Sequence, residues 1–412
     1  MSNLYDPDID SVQFNLYRKF KQNLAQKNKI GPLFKKKQKS HYLIIEYTKI
    51  FGKNKFCEHK ISDEQLHTIT DQELVAKLRS EKSSNSDYFL LNRCRYKNCF
   101  FSCDKSLARH SDALMFHERD LTSQVKAIKG HKDYENVHSK LFNFDRDASQ
   151  VWILWNDEAN FFPDALDSFH FNWTISYNSM SEASFCTYGC LTKSDLEIGS
   201  SNFDKFVLDQ FSRRKNKILW FVSNCAAKKR LKVVEKLSLY NNIEIYGKCN
   251  HYIKNNFENI SLIEFGDEKC AKGSDCEKNT FEGSKFYFAF ENQNCTDYIT
   301  EKFWRSLDFN LIPIVFQPNK EYYEKIAPAN SYIHFADFDY DSKKLSQYLN
   351  LVSKNLKIYE KFFEWKKYYK IVYQANYVEQ LRFCEICEKL NNLDHQLYYD
   401  KISNWFNSQC FR

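Results

Sequence analysis

The chain has 412 residues, with 60 Lys and Arg against 53 Asp and Glu and a net charge of +7. That length suits two domains plus extensions, and 43% hydrophobic with 17% aromatic residues supplies a sizeable core. Only 9 glycines and 6 prolines argue against low-complexity disorder, collagen-like sequence and a Gly-rich phosphate loop, so a bound phosphate needs side-chain cations and a helix terminus; the mixed charge requires no nucleic acid.

Residues 1–40 are polar and end in Lys35, Lys36, Lys37, Gln38 and Lys39, which reads as a basic stem or solvated arm, with a nucleic-acid patch as the lesser alternative. Tyr42 to Ile50 is the first predicted strand and opens an α/β domain over 41–195. Short apolar runs alternating with helical ones, at Leu107–Leu114, Leu114–Phe116 and Val151–Trp155, continue it. The last run ends at Asn156, and the acidic pair Asp157 and Glu158 follows at a strand's carboxyl end. Trp155, Phe161 and Phe162 are expected to raise the pKa of Glu158 by desolvation.

From 191 to 216 the chain is polar, with Gly199, Ser200, Ser201 and the cluster Arg213, Arg214 and Lys215, and reads as an interdomain connection. A second α/β domain over 196–375 then begins with the strand Ile218–Val222. Ser223 and Asn224 end that strand and are N-cap types, with Arg230 two turns on and Lys228 and Lys229 beside it. A helix through Leu237 and Leu239 and a strand at Ile243–Tyr246 follow.

The segment 285–316 is the most informative. Phe286, Phe288 and Phe290 alternate as a strand, the polar run Glu291 to Asp297 breaks it, and Phe303, Leu307 and Leu311 recur at helical spacing. Thr300, Glu301 and Lys302 then fall in the first helical turn, where free N–H groups, the dipole and an ammonium favour a phosphate. Pro313 is expected to close the helix and Ile312–Phe316 to form the next strand, completing a βαβ unit. Lys302 suits phosphate and the Glu301 carboxylate can accept two hydrogen bonds from a diol, while Glu291 and Arg305 read alternatively as a structural ion pair. Asp337, Asp339 and Asp341 mimic a metal-binding DxD but read as a strand-to-helix cap, and residues 376–412 form a helical, cysteine-bearing tail.

The 14 cysteines include Cys94, Cys99 and Cys103, the pair Cys270 and Cys276, the CxxC of Cys384 and Cys387, and Cys410. They read as a disulfide set of a lumenal or secreted protein, with pairing open; a zinc site with His110 and His117 lacks the right spacing. N-glycosylation sequons at Asn172, Asn259 and Asn294 point to the same compartment, although Asn294 lies awkwardly within the ligand loop.

The motifs FYFAFEN, DYITEK and IPIVF, in that order and spacing, resemble the donor-binding signature of the α1,3-fucosyltransferases, glycosyltransferase family 10. The resemblance extends over about 41–390. VWILWNDEANFFPDALDSFHFNWTISY is similar to the family's general-base segment and makes Glu158 the catalytic base, and SNCAAKKR is similar to the element whose arginine meets the donor diphosphate, here Arg230. By the same resemblance Asn292, Tyr298, Glu301 and Lys302 contact the nucleotide sugar. The implied fold is GT-B, two facing Rossmann-like domains with parallel sheets. The implied reaction is inverting transfer of L-fucose from GDP-fucose to a hydroxyl, O3, of N-acetylglucosamine on an N-glycan or other glycoconjugate, with no metal required and Mn²⁺ at most stimulatory.

Departures from the pattern stand beside it. Ala159 and Asn160 replace a Ser-Pro, and Asn178, Ser179, Met180, Ser181 and Glu182 replace a segment bearing an arginine pair. Animal members are single-span Golgi proteins, whereas no run of 18 or more apolar residues or cleavable signal is found here, so the chain is read as truncated or divergent at its start. A catalytically silent glycan- or nucleotide-binding relative, or a GT-B enzyme for another nucleotide sugar, is the alternative.

Overall fold

A computed structural model describes residues 29–30, 39–53, 94–128, 137–194, 200–267, 270–271, 273–373, 376–392 and 397–411. The basic arm expected at 1–40 lies almost wholly outside the described residues. The chain divides into a unit within Ser11–Thr187 and Ala375–Cys410 and a unit of Tyr188–Gln374.

The first unit holds β1 (Lys29–Ile30), β2 (Tyr42–Glu46), β3 (Cys99–Ser102), β4 (Ala113–His117), β5 (Val151–Asn156) and β6 (Trp173–Ser176). Strands β2 to β6 form a five-stranded sheet in the order β3-β2-β4-β5-β6, parallel throughout. Every residue of β4 and β5 is buried, as expected of parallel strands covered on both faces. Trp152 and Leu154 pack into a core with Ile45, Leu114, Phe116 and Phe171. Leu107–Leu114 is not one apolar element: a 3-10 turn over Lys105–His110 precedes β4, because Asp104 caps it and Ser111 ends it.

The second unit holds β7 (Cys190–Lys193), β8 (Lys215–Phe221), β9 (Ile243–Tyr246), β10 (Ile263–Phe265), β11 (Ser284–Phe288), β12 (Ile312–Val315), β13 (Ile333–His334) and β14 (Tyr369–Val372). Six of these form a parallel sheet in the order β10-β9-β8-β11-β12-β13, while β14 and β7 make an antiparallel ribbon. The strand order reverses between β8 and β11. In doubly wound sheets that reversal opens a crevice at the carboxyl ends of the two strands.

The α/β class with parallel sheets therefore holds in each unit, while local expectations change. The polar stretch from 191 to 216 is no bare connection: it contains β7 and a helix over Ser200–Arg213. Phe203 and Val207 bury that helix in the sheet's core, with Phe206 and Phe211 packed partly against it. Arg214 is buried, not solvated, and donates to Gln210 Oε1 at 2.7 Å, Phe281 O and Ser284 O at 2.8 Å, and Phe309 O at 2.7 Å. Pro313 does not close the following helix, which ends at Asp308; it lies inside β12, opposite Tyr287.

The tail returns to the first unit. A helix over Asn376–Asn391 sets Phe383 against Trp155 and Phe101, and disulfides Cys94–Cys384 and Cys99–Cys387 fasten it. The CxxC is thus not an internal redox pair, and Cys94 and Cys99 are disulfide partners, not thiolate ligands. Strand β15 (Tyr398–Tyr399) pairs antiparallel with β1, and Tyr399, Trp405 and Phe406 complete the core around Trp152.

Candidate functional site

The loop leaving β11 carries the densest polar cluster of the second unit. Ala289, Phe290 and Glu291 are fully buried, so the chain enters the loop with a carboxylate inside the protein. Glu291 accepts from Thr300 N at 2.7 Å, from Thr300 Oγ1 at 2.8 Å and from Lys302 Nζ at 3.0 Å. Lys302 Nζ also lies 2.7 Å from Thr300 Oγ1 and 3.5 Å from Glu301 Oε1. Burial works against the Lys302 charge, but Glu291 and Glu301 outweigh it and raise its pKa above the usual lysine range.

This arrangement changes the expected anion site. Thr300 precedes the Glu301–Asp308 helix but does not cap it with its side chain, because its hydroxyl and N–H both serve Glu291. The first anion at that helix terminus is therefore the chain's own carboxylate. The alternative pairing of Glu291 with Arg305 is also replaced: Arg305 donates to Glu277 Oε1 at 2.6 Å and to the Tyr287 hydroxyl at 3.2 Å.

Arg230 comes from the neighbouring strand of the sheet reversal. After β8, Asn224 turns the chain by accepting from Ala226 N at 3.0 Å, rather than capping the Lys228–Leu237 helix, whose N-cap is Ala227. Arg230 is 2% exposed and donates to Phe290 O at 2.9 Å and Asn224 O at 3.0 Å, tying the β8 and β11 loops together. Burial lowers its pKa, opposed by Glu291 and the Tyr287 and Tyr298 hydroxyls. Its positive charge in turn opposes that on Lys302. A guanidinium and an ammonium whose charges oppose one another can both face an added anion. Among the described residues, Arg230 Nε and Asn292 Oδ1 are buried without a hydrogen-bond partner, which leaves donor and acceptor capacity at the same loop. Tyr298 is buried and Glu301 is 30% exposed.

The structure thus gathers Arg230, Glu301 and Lys302 around Glu291, with Tyr298 acting on Arg230 and Asn292 next to Glu291 in the chain. Lys228, beside Arg230 in the sequence, places its ammonium 3.7 Å from the Tyr252 ring centre. What the sequence did not reveal is how the Arg230 loop is braced. Cys225 is bonded to Cys249, Cys249 N donates to Val222 O at 3.1 Å, and Gly247 has φ +103 with Val222 O 2.5 Å from where a Cβ would stand. Gly247→Ala is accordingly expected to cost about 1–3 kcal/mol, read as a lower melting temperature.

In the first unit, the acidic pair after β5 divides its labour. Asp157 accepts from Trp155 Nε1 and from the buried Arg382, both at 2.6 Å, while Glu158 is exposed and donates its N–H to Asn156 Oδ1 at 3.1 Å. Of the aromatic residues expected to enclose Glu158, Phe161 is 75% exposed and Phe162 turns inward onto Phe406. Across the β2/β4 reversal of the sheet, His117 is buried and its Nδ1 lies 2.7 Å from Asp120 Oδ2; reading His117 only as a zinc candidate missed this pair.

The segment that lacks an arginine pair is hydrogen-bonded within the first unit. Glu182 accepts from Thr174 N at 2.8 Å and from the Tyr399 hydroxyl at 3.1 Å, and Asn178 and Ser181 are buried. Around the DFDYD run, Asp341 caps the Ser342–Lys354 helix, and Asp337 and Asp339 pair with Lys320 and Lys344.

Comparison with known proteins follows the same division. A family model described as "Glycosyltransferase family 10 (fucosyltransferase) C-term" matches residues 211–405, and one described as "Fucosyltransferase, N-terminal" matches residues 71–189. The chain is 26% identical over 328 residues to glycoprotein 3-alpha-L-fucosyltransferase A of Drosophila melanogaster, a match covering 78% of this chain but only 56% of that protein. It is 27% identical over 312 residues to human alpha-(1,3)-fucosyltransferase 7, covering 75% of this chain and 78% of the relative. A crystal structure of an alpha1,3-fucosyltransferase with GDP-fucose aligns at 12% identity and a TM-score of 0.43, over 92% of this chain and 99% of that one.

Proposed function

The chain belongs to glycosyltransferase family 10, the fucosyltransferases, and from that premise we propose that it transfers L-fucose from GDP-fucose to O3 of N-acetylglucosamine in a glycoprotein glycan. The observation that carries the donor half is the meeting of Arg230 and Lys302 beside the β8 and β11 loops, where the sheet order reverses. Arg230 and Lys302 hold the diphosphate and stabilise the charge that develops on the departing GDP. Asn292, Tyr298 and Glu301 position the nucleotide sugar, Glu301 through fucose hydroxyls.

Transfer is a single inverting displacement. The acceptor oxygen forms its bond to fucose C1 as the bond from C1 to the β-phosphate oxygen breaks, GDP departs with that electron pair, and Glu158 takes the acceptor proton. The two cations serve the role a metal plays elsewhere, so none is required and Mn²⁺ acts only as a stimulant. The disulfides support a lumenal setting, and we place the chain on the lumenal side of the Golgi; among the described residues no helix is long and apolar enough to cross a membrane.

The test is transfer of labelled fucose from GDP-fucose to a small acceptor panel spanning core and antennal N-acetylglucosamine, with and without EDTA. EDTA-resistant transfer is expected, and the panel identifies the acceptor. The absence of the arginine pair from the Asn178–Glu182 segment favours one second reading, a silent relative, which predicts GDP binding without transfer to any acceptor.

A further inference from the structure

We propose that Asn259 is an N-glycosylation site of this chain and that Asn172 and Asn294, which carry the same tripeptide, are not. The sequons are alike in sequence and differ in surroundings.

Asn259 is exposed, in the loop between the Asn250–Asn256 helix and β10. Its Oδ1 accepts from Ser261 N at 3.0 Å and from Ser261 Oγ at 2.8 Å, a local turn that sets the hydroxyl of the sequon against the acceptor amide. Its Nδ2 has no partner among the described residues and is available for substitution. Asn172 is 2% exposed and fully used: Oδ1 accepts from Trp152 N at 2.8 Å and Arg146 at 2.5 Å, and Nδ2 donates to Leu397 O at 3.0 Å. A sugar on that nitrogen has no room. Asn294 has an enclosed Oδ1, accepts at its carbonyl from Phe411 N at 2.7 Å, and precedes the fully buried, disulfide-bonded Cys295.

The disulfides Cys225–Cys249 and Cys270–Cys276 belong to the oxidising compartment in which asparagine glycosylation occurs. The co-reactant is a lipid-diphosphate-linked oligosaccharide. The Asn259 amide nitrogen bonds to the sugar C1, the C1–O bond to the diphosphate breaks and its electrons leave with the lipid diphosphate, and the amide loses one proton to the transferring enzyme. The glycan then stands at the amino end of edge strand β10, the opposite end of the sheet from the loops bearing Arg230 and Glu291. This inference rests on the compartment and the local geometry, not on the fucosyl-transfer reading.

The full chain should be directed through the secretory pathway of a eukaryotic cell with a supplied leader, then treated with peptide N-glycosidase in heavy-oxygen water. Mass spectrometry is expected to find labelled Asp at position 259 and unlabelled Asn at 172 and 294. Asn259→Gln, and independently Ser261→Ala, should abolish the label and the mobility shift while transfer activity persists. Unlabelled Asn259 in chain that has formed its Cys270–Cys276 disulfide, or label at 172 or 294 in folded chain, overturns the proposal.

Discussion

Lys302→Ala is expected to lower fucose transfer by about 10²–10³-fold and to destabilise the protein by about 3–5 kcal/mol. The two losses have separate causes. Lys302 is the hydrogen-bonded cation beside Glu291, a carboxylate with no exposure at all, so truncating it leaves a charge inside the protein without its ammonium partner. It also removes one of the two cations assigned to the departing GDP. A double variant separates them. Lys302→Met with Glu291→Gln removes the charges together, and the double variant should recover much of the melting temperature without recovering transfer. Thermal melts and transfer kinetics on the single and double variants supply the comparison. Full transfer in either would remove Lys302 from the donor site and leave it a structural partner of Glu291.

Glu158→Gln should behave in the opposite way. Its side chain is exposed, so the melting temperature and GDP affinity are expected to hold, within about 0.5 kcal/mol for stability, while kcat falls about 10²–10⁴-fold. Asp157→Asn is the informative neighbour: it weakens the bonds from Trp155 and the buried Arg382, and should lose stability. If Glu158→Gln keeps its kcat, the proton goes to another group; His117, buried against Asp120 at the end of β4, is then the next to replace.

The parts of the fold legible in sequence are those written in short-range pattern. The runs Val151–Trp155, Ile218–Val222 and Ile243–Tyr246 each mark an observed strand to within a residue or a few, because a buried parallel strand is a local run of apolar residues. The Ser200–Arg213 helix was hidden by its own start, where Gly199, Ser200 and Ser201 suggest a linker. The signal was there in Phe203, Phe206, Val207 and Phe211 at helical spacing. Partner choice was the least legible. Nothing local says that Arg305 prefers Glu277 to Glu291, or that Asp157 is held by an arginine 225 positions away. Those choices follow from chain folding that brings distant segments together, and they decide which charges of the site are structural.

The fastening of the tail sets an order in time. As the chain leaves the ribosome, Tyr188–Gln374 has all the residues of its own sheet before synthesis ends, but the first unit must wait. Until Asn376–Asn391 and the residues through Phe406 emerge, the faces of β5 around Trp152 and Trp155 lack covering, and Cys94 and Cys99 lack their partners 290 and 288 positions on. A nascent chain interrupted after Gln374 would therefore present a second unit whose six-stranded sheet is fully made, joined to an unfinished beginning, and its exposed apolar surface would lie in the half that was made first.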